Sequence, residues 1–171
     1  LDANKASSSA RLVAYDVVRY DQQGCYSPHM VFVEQGGSVT PERFAQYVAH
    51  ELAAFDKKFP RRSLDIAEAN GIATWRHAEE MTVGGQVFGE ESGAWTVSYQ
   101  CEDKNFLPSG LNRTIRVVSV EALADVAAIV APFKALLQTA GIAAPPTELF
   151  SLATALGAVG VTRVCALGDM T

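Results

Sequence analysis

Short β-branched runs alternate with helical stretches along this chain, and that alternation narrows the folds open to it. Met30–Glu34, Thr114–Val120 and residues 161–167 are apolar or β-branched and read as strands. Helical patterns separate them. Residues 6–20 carry Leu12, Val13, Tyr15, Val17 and Val18 on a broad face, with Ser7, Ser8 or Ser9 available as a cap. Thr40-Pro41-Glu42 starts a second helix, with a capping hydroxyl, proline at the first helical position and an acid facing the helix dipole. Phe44, Tyr47, Val48, Leu52 and Phe55 then recur at three- and four-residue steps as one buried stripe. The order predicts an α/β fold, a layered and largely parallel sheet flanked by helices.

The remaining elements are read in the same way. Gly36-Gly37-Ser38 is a turn, and Ser63 is the expected cap of a helix over 64–81, weakened by Gly71. Residues 94–100 alternate Trp95, Val97 and Tyr99 with Thr96, Ser98 and Gln100, as a half-exposed strand would. Gly84, Gly85 and Gly89 read as turn or bulge glycines, and 102–113 as a surface loop. An Ala- and Val-rich helix is expected after Val120, divided at Pro132. Residues 141–146 read as a loop, and Thr147 as the cap of a helix to about Leu156.

Composition excludes several functions. The 171 residues are 49% hydrophobic and 19% charged, a globular balance with enough chain for one core. Nineteen acids against fourteen Lys and Arg give a net charge of −5, and the densest basic cluster, Lys57, Lys58, Arg61 and Arg62, is short; no nucleic-acid partner is expected. No apolar run reaches the roughly 18 to 20 residues of a membrane span. Cys25, Cys101 and Cys165 are odd in number and widely spaced, which argues against a disulfide framework and for a reducing, cytoplasmic compartment. No histidine or cysteine pair has metal-ligand spacing, so no metal is expected. Neither a G-x-G-x-x-G nor a phosphate-loop sequence occurs. The chain opens on Leu1 and closes just after an apolar run, which suggests a piece of a longer polypeptide.

Cys25 is the candidate nucleophile. Polar, turn-forming residues surround it, and Gly24 clears space for close approach to the backbone. Converging backbone N–H groups would favour its thiolate and hold an oxyanion formed on an attacked carbonyl. The competing reading is a cysteine that packs as a small hydrophobe. Cys101 stands beside Glu102 and Asp103, which disfavours a nucleophilic role, and Cys165 sits in an apolar run. His29 is close enough in sequence to act as base or contact, or to be simply a backbone-bonded loop histidine. His50 and His77 fall on helices as surface positions, and Glu79-Glu80 and Glu90-Glu91 read as solvated acids.

The run Tyr20-Asp21-Gln22-Gln23-Gly24-Cys25-Tyr26-Ser27-Pro28-His29 resembles the active-site segment of LuxC-type fatty acyl-CoA reductases, of the aldehyde dehydrogenase superfamily. Gln23-Gly24-Cys25 matches the turn that carries the catalytic cysteine there, although Gly and Gln are not in the commonest superfamily arrangement. Residues 160–168 look like the family's glycine-bounded strand near its C-terminus. The resemblance implies that residues 1–171 are an aldehyde-dehydrogenase-like catalytic domain, lacking an N-terminal nucleotide-binding domain. It implies Cys25 as nucleophile, with Gln23, Gly24 and His29 supporting substrate, an S-acyl intermediate formed from acyl-CoA, and NADPH bound mainly by the other domain. It assigns no general base, since Glu34 and Glu42 follow the cysteine. A homo-oligomer is left open. Two other classes stay open beside it: a thiol acyltransferase or thioesterase using Cys25 with His29, and a non-catalytic assembly domain.

Overall fold

A computed structural model describes residues 3–90 and 93–170. The elements run α1 (Ala3–Val18), β1 (Met30–Glu34), α2 (Pro41–Lys58), α3 (Ile66–Glu80), β2 (Gln86–Gly89), β3 (Thr96–Gln100), β4 (Thr114–Val120), α4 (Val126–Val130), β5 (Thr139–Ile142), α5 (Pro146–Ala158) and β6 (Arg163–Ala166). The main sheet has the order β1-β4-β3-β2. β1 and β3 both lie parallel to β4, and β2 closes the edge antiparallel to β3. β5 and β6 form a separate parallel pair. The expected α/β layering with a mostly parallel sheet is therefore the architecture observed.

α1 and α2 cover one face of the main sheet. α2 begins as its sequence predicts: Thr40 Oγ1 accepts from the Arg43 N–H and Pro41 takes the first turn. Phe44, Val48 and Leu52 are buried, with Tyr47 and Phe55 packed at the margin. α1 turns only part of the expected face inward: Val13, Val17 and Val18 meet the core, but Leu12 and Tyr15 do not. Ala6, Ala10, Val13, Ala14 and Val17 are buried while Leu12 and Tyr15 are exposed, because the small alanines bring α1 close to α2. Ser7 to Ser9 lie inside α1 and do not cap it. Val97, Tyr99, Ile115 and Val117 complete this core from the sheet.

The other face is polar, which corrects the expectation for β3. All five of its residues are buried, Thr96, Ser98 and Gln100 included. Glu79 from α3 hydrogen-bonds Ser98 and Gln100, and reaches Arg116 of β4 at 3.1 Å. Glu79 is thus an interior carboxylate, not a solvated one. α3 is capped by Asp65 and Glu68 in a reciprocal capping box, not by Ser63. Beyond it, Gly84 has φ +73°, and Gly85 lies so close to Gln100 that a Cβ would stand 2.6 Å from its Oε1.

Five further readings need correction. Gly89 ends a strand, β2, that is too short for its period to show. Residues 139–142 pair with β6, so part of the expected loop is strand. α5 starts at Pro146 without a side-chain cap, and Thr147 lies within it. The stretch after Val120 is broken helix: a 3-10 turn, the single-turn α4, and a 3-10 segment containing Pro132. Within 102–113, Ser109, Asn112 and Arg113 are buried, so this is not merely a surface loop.

Candidate active site at the Cys25 turn

α1 stops at Val18, and the chain then enters three consecutive left-handed residues: Tyr20, Asp21 and Gln22, at φ 52°, 49° and 61°. A second left-handed tripeptide, Leu111, Asn112 and Arg113, precedes β4 at φ 57°, 50° and 71°. Non-glycine residues in this region cost on the order of 1 kcal/mol each, so both turns must be held from outside. They hold each other. Arg113 Nε donates to Asp21 at 2.7 Å, and Gln23 Nε2 donates to Asn112 Oδ1 at 3.0 Å. The buried Gln22 amide donates to the carbonyls of Pro28 (2.7 Å) and Thr114 (2.8 Å), while its Oε1 accepts from the Thr114 N–H (2.9 Å). Arg113 Nη1 also meets Asp56 of α2 at 2.8 Å.

Cys25 follows at once. The Ser27 N–H closes on the Gly24 carbonyl at 3.0 Å, so Cys25 and Tyr26 form the tip of a tight turn. The thiol is exposed. Its own N–H makes no hydrogen bond among the described residues, and so can donate to an oxyanion. Gly24 lies over Ser27, where a Cβ would stand 3.3 Å from Oγ. That hydroxyl is buried without a partner.

The expected supporting residues divide. Gln23 and Gly24 belong to the Cys25 turn. His29 does not join the thiol: its Nδ1 accepts from the Ser109 N–H at 3.2 Å and meets Ser109 Oγ at 3.1 Å. With Nδ1 accepting, the neutral ring carries its proton on Nε2. Burial also pushes the imidazole pKa below its usual 6.5, which favours the neutral form. Glu34 accepts from the Leu123 N–H and Glu42 from Gln86, both structural roles. Cys101 donates to the Gly84 carbonyl, and burial pushes the Cys165 thiol up.

Asp21, Arg113, Asn112 and Ser109 were not legible as site residues. They lie some ninety residues apart in two segments that each read as irregular, and only the shared density of Asn, Asp and Arg hinted at a network. Arg61 and Arg62, from the short basic cluster 57–62, join it through Asp56, Asn112 and Asp21.

No group of three His, Cys, Asp or Glu side chains among the described residues could hold a metal ion. Nor does the loop between β1 and α2 offer a phosphate cradle suited to a dinucleotide. Among the described residues the only strand–Gly-Gly–helix passage is β1, Gly36-Gly37, α2, and Glu42 stands in the hollow beside it. A carboxylate there opposes a pyrophosphate, and Thr40 already occupies the Arg43 N–H. Among the described residues no helix is long and apolar enough to cross a membrane.

The candidate site is thus an exposed cysteine on a hydrogen-bonded turn that leads into an edge strand of a mixed α/β sheet. The acyl-CoA reductase (LuxC) family model matches residues 2–171, and the chain belongs to that family. It is thereby an oxidoreductase by family. No curated protein matches it.

Proposed function

We propose that this chain supplies the nucleophile of a fatty acyl-CoA reductase, and that Cys25 carries the acyl group. The observation that supports this reading is the exposed thiol beside an unengaged N–H, on a turn fixed from both sides. The Cys25 thiolate attacks the thioester carbonyl, and the Cys25 N–H stabilises the oxyanion as it forms. Collapse breaks the carbon–sulfur bond to coenzyme A, which leaves as a thiolate and takes up a proton. The product is an S-acyl enzyme. The family implies a nicotinamide as hydride source, and we assign NADPH to a nucleotide-binding domain outside residues 1–171, the chain itself being the catalytic domain in a cytoplasmic enzyme. His29 is engaged by Ser109 and is not assigned as a base.

Intact-protein mass measurement after incubation with a long-chain acyl-CoA tests the reading. One acyl adduct is expected, absent in Cys25→Ala. An adduct that persists in Cys25→Ala overturns it, and reduction of acyl-CoA by this chain with NADPH alone overturns the domain assignment.

A further inference from the structure

Beside the Cys25 turn, the ends of α1 and α2 enclose a hollow of about 320 Å³. Tyr15, Val18, Arg19, Tyr20, Phe55 and Phe59 line it, beside Asp21. Its aromatic side chains are unusually open: Tyr20 is 69% exposed, Phe59 50% and Tyr15 39%. Tyr20 is also one of the left-handed residues, so backbone strain is being spent to hold a large ring in water. Tyr20 adjoins the Cys25 turn, its Cδ2 lying 3.9 Å from where a Gly24 Cβ would stand.

The charges around the hollow differ in what they leave free. Arg113 also lines it, but Asp21 and Asp56 neutralise its guanidinium. Arg19 stacks 5.5 Å from both the Tyr15 and Tyr20 centroids, and Lys58 Nζ lies 5.1 Å from that of Phe59. Neither Arg19 nor Lys58 forms an ion pair among the described residues. Arg19 donates only to phenol oxygens, to Tyr15 Oη at 3.3 Å, so in a chain of net charge −5 two cations without a carboxylate partner beside open aromatic faces complement a flat ring carrying phosphate. A hydrocarbon chain suits them less, because it would cover the guanidinium without giving it a partner.

We propose that this hollow seats the adenosine bisphosphate end of the acyl-CoA, with the adenine against Tyr20 and Phe59 and the phosphates on Arg19 and Lys58. The identity of the ligand rests on the acyl-CoA reading above.

The test uses adenosine 3′,5′-bisphosphate, which carries no acyl group and needs no chemistry at Cys25. Calorimetry is expected to show binding that weakens with salt, and that falls about tenfold in Arg19→Gln and in Phe59→Ala. In parallel, Cys25 is acylated with acyl-CoA and with the S-acyl N-acetylcysteamine thioester, which lacks the nucleotide. The wild type is expected to prefer acyl-CoA by about tenfold, and both variants to lose that preference. Absence of bisphosphate binding, binding unchanged in both variants, or displacement by a free fatty acid overturns the proposal. So does self-association through this face in sedimentation. Equal acylation by the two thioesters with no bisphosphate binding sinks the subsite and leaves the nucleophile standing. Bisphosphate binding that follows the variants, without any acylation, does the reverse.

Discussion

Arg113 supplies the charged tie between the two left-handed tripeptides, beside the amide bonds of Gln22 and Gln23. Its side chain is 4% exposed and meets two carboxylates. Arg113→Met leaves Asp21 and Asp56 without their shared partner, a loss of about 3–5 kcal/mol for a buried pair broken on one side. We expect urea unfolding to show it, with Cys25 alkylation losing its lead over Cys101 and Cys165. In the wild type iodoacetamide should reach Cys25 first, since it is exposed while Cys101 and Cys165 are half-buried. His29 gives a pH dependence. Its folded pKa lies below 6.5 because burial disfavours the cation. The unfolded chain therefore binds more protons just below that pH, and stability is lost as pH falls through the window from 6.5 to the folded value. His29→Gln retains an acceptor for the Ser109 N–H but does not titrate. Its stability should change less with pH over that window, and an unchanged slope would refute the assignment.

α3 is an element docked by charge more than by oil. Only Ile72 and Glu79 of its residues are buried, and Glu79 works through Arg116, Ser98 and Gln100. Arg116 reaches onward to Asp103 at 2.7 Å and the Asn105 carbonyl at 3.0 Å. Burial alone would raise the Asp103 carboxyl, but its bonds from Arg116 and the Asn105 N–H outweigh that and hold it below its ordinary value. Arg116→Met is expected to cost about 3–5 kcal/mol in urea unfolding, and Arg116→Met with Glu79→Leu distinctly less, because the double change leaves no buried charge on α3. Additive losses would mean that the two side chains act independently. This polar face explains what could and could not be read from sequence. β1 and β4 were legible as short apolar, β-branched runs, and α2 because its apolar residues recur at three- and four-residue steps against one core. β3 read as half-exposed because its polar residues alternate correctly, and nothing local says that a helix with its own carboxylate covers them. Cys25 was legible from the turn residues around it. Its supports, Arg113 and Asn112, were not, since the contact that gives them meaning joins segments ninety residues apart.

Across the whole molecule, the Cys25 turn lies where the two sheets meet. Gln22 binds it to β4 of the main sheet, and Arg163 of β6 stacks 5.5 Å from the Tyr26 centroid. The second sheet is latched to α1 by Asp16, which accepts from the Gly168 N–H at 2.7 Å and the Met170 N–H at 3.2 Å. Asp16 is 1% exposed, and desolvation raises its pKa above 3.8 even against those two bonds. The folded state therefore holds the Asp16 proton more tightly than the unfolded chain does. Its contribution to stability is complete below 3.8 and is lost as pH rises through the folded value. Asn at this position keeps one acceptor and never ionises. Asp16→Asn should thus gain on the wild type as pH rises from about 4 towards neutrality. Asp16→Ala leaves both N–H groups unpaired, a penalty of about 1–3 kcal/mol for each that stays buried. Hydrogen exchange separates the latch from a general loss of stability: the Gly168 and Met170 amides should open in Asp16→Ala while those of β4 stay protected. If β4 loosens to the same extent, the second sheet is no independent flap on α1, and the Cys25 turn is fixed by one cooperative body, not by two sheets meeting at it.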